Sequence, residues 1–219
     1  MRFKMILKRY WKLIIMIGGP LFLGTLEIWH PHHVDFNEMV SSHEKANWWL
    51  ILHLLQLPLF GLLALSVFFL LENIKNVASI ISKIGLWFFI VFYTALDSVA
   101  GISTGILFHF MNSNPDLDQN EVLNDLFITL FQIQVPGGGL IVKIAVLSWL
   151  IAGISATIAL YLKGYNRIGV ILIGIATIVF QSHAYPNGTI AMYLLTVGII
   201  LIQFFPWHFT EVKHSASLK

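Results

Sequence analysis

Residues 47–71 read NWWLILHLLQLPLFGLLALSVFFLL. The stretch contains no Asp, Glu, Lys or Arg. As a helix rising ~1.5 Å per residue, it is long enough to cross a hydrocarbon core about 30 Å thick. Comparable runs recur along the chain, and the whole sequence of 219 residues is 57% hydrophobic and only 11% charged, against ~25% charged for an ordinary soluble domain. A segment in lipid must satisfy its own backbone hydrogen bonds, so these runs are expected to be helices. The expected fold is all-α: one polytopic membrane bundle filling residues 1–219, with no separate soluble domain. Its six transmembrane helices fall at about 12–29, 47–72, 84–112, 137–162, 166–186 and 189–207. Residues 120–135 (NEVLNDLFITLFQIQV) place apolar side chains at helical spacing behind acidic ones, which predicts one amphipathic helix on the outer face.

Charge sets the orientation. With an even number of spans, Arg2, Lys4, Lys8, Arg9, Lys12, Lys75, Lys83, Lys163, Arg167, Lys213 and Lys219 all fall on one side. The other side has Lys45 among Asp35, Glu38, Glu44, Asp116, Asp118, Glu121 and Asp125. The Lys/Arg bias therefore predicts cytoplasmic N- and C-termini and a multi-pass protein of the inner (plasma) membrane. Basic residues clustered at one membrane face report topology, which argues against a nucleic-acid partner and makes the lipid bilayer the surrounding partner. The start, MRFKMILKRYWK, lacks a small-x-small cleavage site before Glu27, and an uncleaved first span is expected. The absence of cysteine excludes disulfides, thiolate metal sites and cysteine nucleophiles.

Several residues have expected structural uses. Trp11, Trp48, Trp49 and Trp207 are predicted interfacial anchors. Gly18, Gly19 and Pro20 should kink the first span or admit a close helix neighbour, and Gly153, Ser155 and Ala156 offer a face for a homo-oligomer or another membrane subunit. PGGG at 136–139 lacks the Lys and Ser/Thr of a phosphate loop and is expected to be a hinge or turn.

The ionisable residues carry the functional expectation. LEIWHPHH (26–33) sets Glu27 and three histidines at the end of the first span. With the orientation above, His30, His32, His33 and His43 occupy the first outer loop, and His53 lies roughly 9 Å into the second span with Gln56 one turn deeper. His109 ends the third span, with Asp97 nearer the bilayer middle; Gln181, Ser182 and His183 close the fifth, and Lys143 opens the fourth. An unpaired charge in hydrocarbon costs several kcal/mol, so Glu27, Asp97 and Lys143 should face inward, into a shared polar cavity opening outward. At ~100° per residue, Ser98, Ile102, Gly105 and His109 share one face of the third span with Gly101 beside it, room for a close helix or a planar ligand.

Three chemistries use this set. Glu27 and His30 form Glu-x-x-His, an i, i+3 pair that places a carboxylate and an imidazole on one helix face, as in di-iron bundles; no second copy occurs. With His32 and His33 of HPHH, and with His53, His109 and His183, the pair supplies ligands for a divalent metal, zinc or iron. That reading is a metal-dependent hydrolase or oxidase of a lipid-like substrate, with Glu27 or Asp97 as base and Lys143 as a further catalytic group. The histidine boxes of membrane desaturases and the H-x-x-x-H element of ceramidase-like hydrolases are absent. The second reading is a b-type haem held between His53 and His109 or His183, in an electron carrier. The third is a non-enzymatic transporter or assembly subunit in which the same groups form a proton or ion path and Lys143 neutralises an acid. Structurally, any one of these histidines could be a rim imidazole bonded to backbone or water. His208 and His214 fall on the cytoplasmic side and are expected to be solvated.

The order His30-Pro31, Trp49, His53, then Asp97-Ser98-Val99-Ala100-Gly101 resembles small multi-span bacterial integral membrane proteins of uncharacterised function. The resemblance covers about the first half of the chain. It implies a polytopic fold and a bacterial origin, and brings no reaction with it.

Overall fold

A computed structural model describes residues 2–31, 35–114, 116, 121–132, 138–181 and 184–205, the first eight of these and Gly138 by backbone alone. The described residues form nine α-helices and one π-helical turn, without strands. Helix α1 spans Arg2–Glu27 and runs through Pro20. A short α2 (Phe36–Val40) starts at Asp35, whose side chain accepts from the amides of Asn37 and Glu38. Helix α3 (His43–Leu70) is capped by Ser42, and α4 (Val77–Asp97) by Asn76, each side-chain oxygen accepting an amide left unpaired by the first turn. The π turn Ser98–Ser103 follows α4 directly and leads into α5 (Thr104–Asn112). Beyond them lie α6 (Glu121–Phe131), α7 (Gly138–Leu162), α8 (Arg167–Val179) and α9 (Asn187–Phe204). Gly164, at φ +80°, turns the chain between α7 and α8 in the left-handed region that glycine enters without strain.

Four stretches are long and apolar enough to cross a membrane: His43–Leu70, Val77–Asn112, Gly139–Leu162 and Asn187–Phe204. Helix α8 is a shorter apolar helix, and α1 carries a charged N-terminal third. The six expected spans thus correspond to helices at the expected places, and four of them meet the length and composition of a crossing. The expected amphipathic segment is α6, which rests on the bundle through Phe127.

Small residues set the helix spacing. Helix α1 packs on α3 and α9, α4 on α7, and α8 on α7 and α9. A Cβ on Gly19 would fall 2.9 Å from Leu62 O and 2.7 Å from Ser66 Oγ, while Ser66 Oγ lies 2.9 Å from Ile15 O. Gly19 therefore serves close contact between α1 and α3. A Cβ on Gly153 would meet Thr177 Oγ1 at 2.2 Å, and Ala156 is fully buried. Two residues of the expected association face are thus already buried within the chain, Gly153 against α8, and Ser155 is half-buried.

Two apolar cores result. The larger joins α1, α3, α4, α7, α8 and α9 around Phe60, Phe89, Trp149 and Phe180. The smaller gathers Met39, Trp49, Phe108, Met111 and Phe127 at the opposite end, which also carries His30 and is called the histidine end below. The end bearing Lys12 and Lys83 is the basic end. Exposed Ile14, Phe22, Ile51, Leu54 and Ile158 give the bundle an apolar outside, as lipid contact demands. Trp11 is exposed as an anchor should be, whereas Trp49 is 1% exposed and belongs to the interior. Trp207 lies outside the described residues, as do His208 and His214.

Candidate functional site

Helix α1 ends on Glu27, whose side chain is wholly buried against α3, where Gln56 Nε2 donates to its Oε1 at 2.7 Å. Pro31 cannot continue a helix, and the chain leaves through a tight turn in which the His30 amide donates to Glu27 O at 3.1 Å. That turn folds the His30 ring inward, leaving the residue 7% exposed.

His30 and His53 meet there, their ring centroids 5.4 Å apart at 72°. His30 Nδ1 lies 3.0 Å from Pro31 O, and His53 Nδ1 lies 2.7 Å from Trp49 O, one turn earlier on α3. A carbonyl oxygen only accepts, so in both rings Nδ1 carries the hydrogen and Nε2 is left as the second functional nitrogen. Trp49 is the third ring, its centroid 4.3 Å from that of His53 and 5.7 Å from that of His30.

The third helix brings the second acid. Asp97, 3% exposed, is the last residue before the π turn. A π turn inserts one residue and displaces the i→i−4 ladder, an arrangement found at functional sites. Its Gly101 carbonyl accepts from Trp49 Nε1 at 2.8 Å. A Cβ on Gly101 would lie 2.0 Å from His53 Cδ2, and one on Gly105 would lie 3.0 Å from Trp49 Cδ1. The small face of this helix therefore receives α3, and His53 and Trp49 fill the place a planar ligand would need. A haem ring does not fit there.

Glu27 and Asp97 lie within electrostatic range of each other, with buried Tyr93 in range of both. Glu27 Oε2, Gln56 Oε1 and Asp97 Oδ2 have no hydrogen-bond partner among the described residues. An aromatic roof covers the cluster: Phe131 and Phe108 lie 6.0 and 6.2 Å from Trp49, and Phe127 lies 5.1 Å from Phe36 of α2.

Of the residues predicted from sequence, the fold gathers Glu27, His30, His53 and Asp97. His109 is half-buried on α5, with no ring or hydrogen-bond contact to the cluster among the described residues; its carbonyl accepts from Ser113 Oγ at 2.9 Å. Lys143 is exposed on α7, with no carboxylate in ion-pair range among the described residues, so it does not neutralise either acid there. The expectation that Lys143 faces inward is thus corrected: depth along α7 does not fix which way a side chain points. His32, His33 and His183 lie outside the described residues. No three His, Asp or Glu side chains are close enough to hold a metal ion among the described residues. Trp49, Gln56 and Tyr93 join the site without having been assigned to it from sequence. Their signal is spacing: Trp49 stands four residues before His53, and Tyr93 four before Asp97.

A pocket of about 390 Å³ opens at the same end, lined by Pro31, Glu38, Met39, Ser42, Glu44, Lys45 and Trp48. Glu38 is ion-paired with Lys45. Trp48 Nε1 donates to Trp29 O at 2.9 Å, closing the wall beside His30.

No protein-family model, characterised protein or solved structure is significantly similar to the chain.

Proposed function

We propose that this chain is a six-span plasma-membrane protein with cytoplasmic termini. In this reading the Glu27–Gln56–His30–His53–Asp97 cluster lies in the outer half of the bilayer and takes up a proton or a small cation. The protein is then a non-enzymatic carrier, or the ion-path subunit of a membrane complex. Two buried carboxyls within electrostatic range of each other, Glu27 on α1 and Asp97 on α4, with no basic side chain paired to either among the described residues, carry the reading. Two bare carboxylates within electrostatic range of each other in a hydrocarbon setting are each costly, so the pair is neutralised by a bound proton or a cation. Gln56 and the two imidazoles supply neutral polar atoms for such a guest, and intramembrane ionisable groups of this kind mark ion and proton pathways.

One observation favours a metal-dependent hydrolase or oxidase as the second reading. Both imidazoles are held through Nδ1 by backbone carbonyls, the orientation given to metal-ligating histidines, with Nε2 turned to the metal. The remaining ligands would come from His32, His33 or His183.

Purified protein in liposomes loaded with a pH-sensitive dye tests the first reading. An imposed inside-negative potential should drive proton uptake in the parent, and Glu27→Gln and Asp97→Asn should abolish it. Normal uptake in both variants would overturn it. Stoichiometric zinc or iron in the purified protein, lost in His53→Ala, would move the assignment to the second.

A further inference from the structure

We infer that the pocket lined by Pro31, Glu38, Met39, Ser42, Glu44, Lys45 and Trp48 is the mouth through which an ion reaches the buried cluster, and that the Trp29–Pro31 turn is the partition between them. The inference rests on the reading of the cluster as an ion site and adds where that site opens. Three observations support it. Pro31 belongs to both places: it lines the pocket, and its carbonyl oxygen holds His30 Nδ1 at 3.0 Å. Trp48 lines the pocket and ties Trp29 O with its indole N–H, while the next residue, Trp49, packs on both imidazoles. Pocket and cluster are thus separated by one turn of chain and the ring of one tryptophan. That turn is held lightly, by the backbone bonds at 28–30 (3.1–3.3 Å), the Trp48 bond and the His30 bond.

Charge in the mouth fits a cation. Lys45 is taken up by Glu38, and Glu44 makes no ion pair among the described residues, so the lining carries a net negative charge. A concave wall of one sign raises the local concentration of counter-ions and their entry rate. Room for several waters, at ~30 Å³ each, lets the ion arrive hydrated at the Pro31 wall. Behind that wall stand His30 and, against it, His53; the same buried cluster holds Glu27 with Gln56 of α3, and Tyr93 and Asp97 of α4. These are the polar and titratable groups that face the path from α1, α3 and α4.

The natural absence of cysteine makes the test direct, because a single introduced cysteine is the only thiol. In the proton-uptake liposomes, Glu44→Cys is measured before and after a membrane-impermeant trimethylammonium thiosulfonate reagent. Modification should slow uptake about tenfold or more, in the range over which cleft charge sets entry rates. Asp116→Cys, an exposed acid beyond the pocket, should conduct as the parent does with and without the reagent. Unchanged uptake in modified Glu44→Cys, together with its loss in Glu27→Gln, would overturn the mouth and leave the cluster standing. No uptake in the parent would overturn both. A second measurement is independent of flux: the labelling rate of His30→Cys by a small polar thiosulfonate should fall when Glu44→Trp fills the pocket. An equal rate in the two backgrounds would also overturn the mouth.

Discussion

The two halves of α3 are one helix put to opposite uses. From Phe60 to Leu70 its buried side chains are Phe60, Leu63, Ala64, Ser66, Val67 and Leu70, and all but Ser66 join the large apolar core. From Ala46 to Gln56 the buried side chains are Ala46, Trp49, Leu52, His53 and Gln56, and three of those five carry polar atoms. Both halves rely on glycines of a neighbouring helix for close approach, Gly19 in the first and Gly101 and Gly105 in the second. At the basic end this closeness brings apolar surface and backbone together. At the histidine end it presses an imidazole and an indole onto a helix that carries a buried acid. The difference shows that close packing in lipid is neutral as to purpose: the side chain delivered by the small residue decides whether the contact is a seal or a site.

The sharpest way to break the comparison is to fill the glycine at the histidine end. Gly101→Ala places a methyl 2.0 Å from His53 Cδ2, and such overpacking costs about 3 kcal/mol. Gly61→Ala, on α3 with nothing within 4 Å of the new carbon, is the matched control, expected to gain up to ~1 kcal/mol from helix propensity. Thermal unfolding in detergent should separate the two variants clearly, and equal melting temperatures would mean that α3 and the π turn are not in contact.

A smaller loss should follow from Glu27→Ala, which strands the buried Gln56 amide; an unmet buried donor costs about 1–3 kcal/mol. Glu27→Gln keeps a partner for that amide, so its unfolding midpoint should stay closer to the parent while ion uptake disappears. Of similar size is Trp49→Phe, which keeps a six-membered aromatic ring but removes the N–H given to Gly101 O and part of a fully buried side chain, a loss of about 1–3 kcal/mol. The carbonyl that holds His53 remains, so nitrogen NMR should still find hydrogen on His53 Nδ1; hydrogen on Nε2 alone would contradict the geometry. The smallest effect belongs to the basic end. Lys12→Met breaks a partly exposed pair with Glu72 and should cost under ~1 kcal/mol, with uptake unchanged.

Fold and site were legible to different degrees. Every apolar run in the sequence corresponds to a helix, because length and charge exclusion are properties of the run itself. Glu27 and His30 could be paired because i, i+3 spacing on a helix end is local geometry. Lys143 could not be placed, because α7 is apolar all round and its sequence gives a depth but no facing. Trp49 looks like its neighbour Trp48, yet successive residues point ~100° apart, and only packing shows that one faces the rim and the other the interior. Depth along the third span put His109 at the level of the other histidines, but depth alone gives no contact; the π turn at 98–103, which nothing in SVAGIS announces, further shifts the facing of α5 relative to α4.

That wide turn also sets the phase of everything after it. Deleting one residue from 98–103 and letting the coil close to an ordinary helix would rotate α5 by about 100° relative to α4. Phe108 would leave its tilted contact with the Phe127 ring, and the covering layer above the imidazoles would come apart. Helix α4, bound to α7 by its own contacts, would stay where it is. One surplus amino acid therefore acts as the molecule's spacer, holding the covering layer and the carboxyl in step on a single continuous rod.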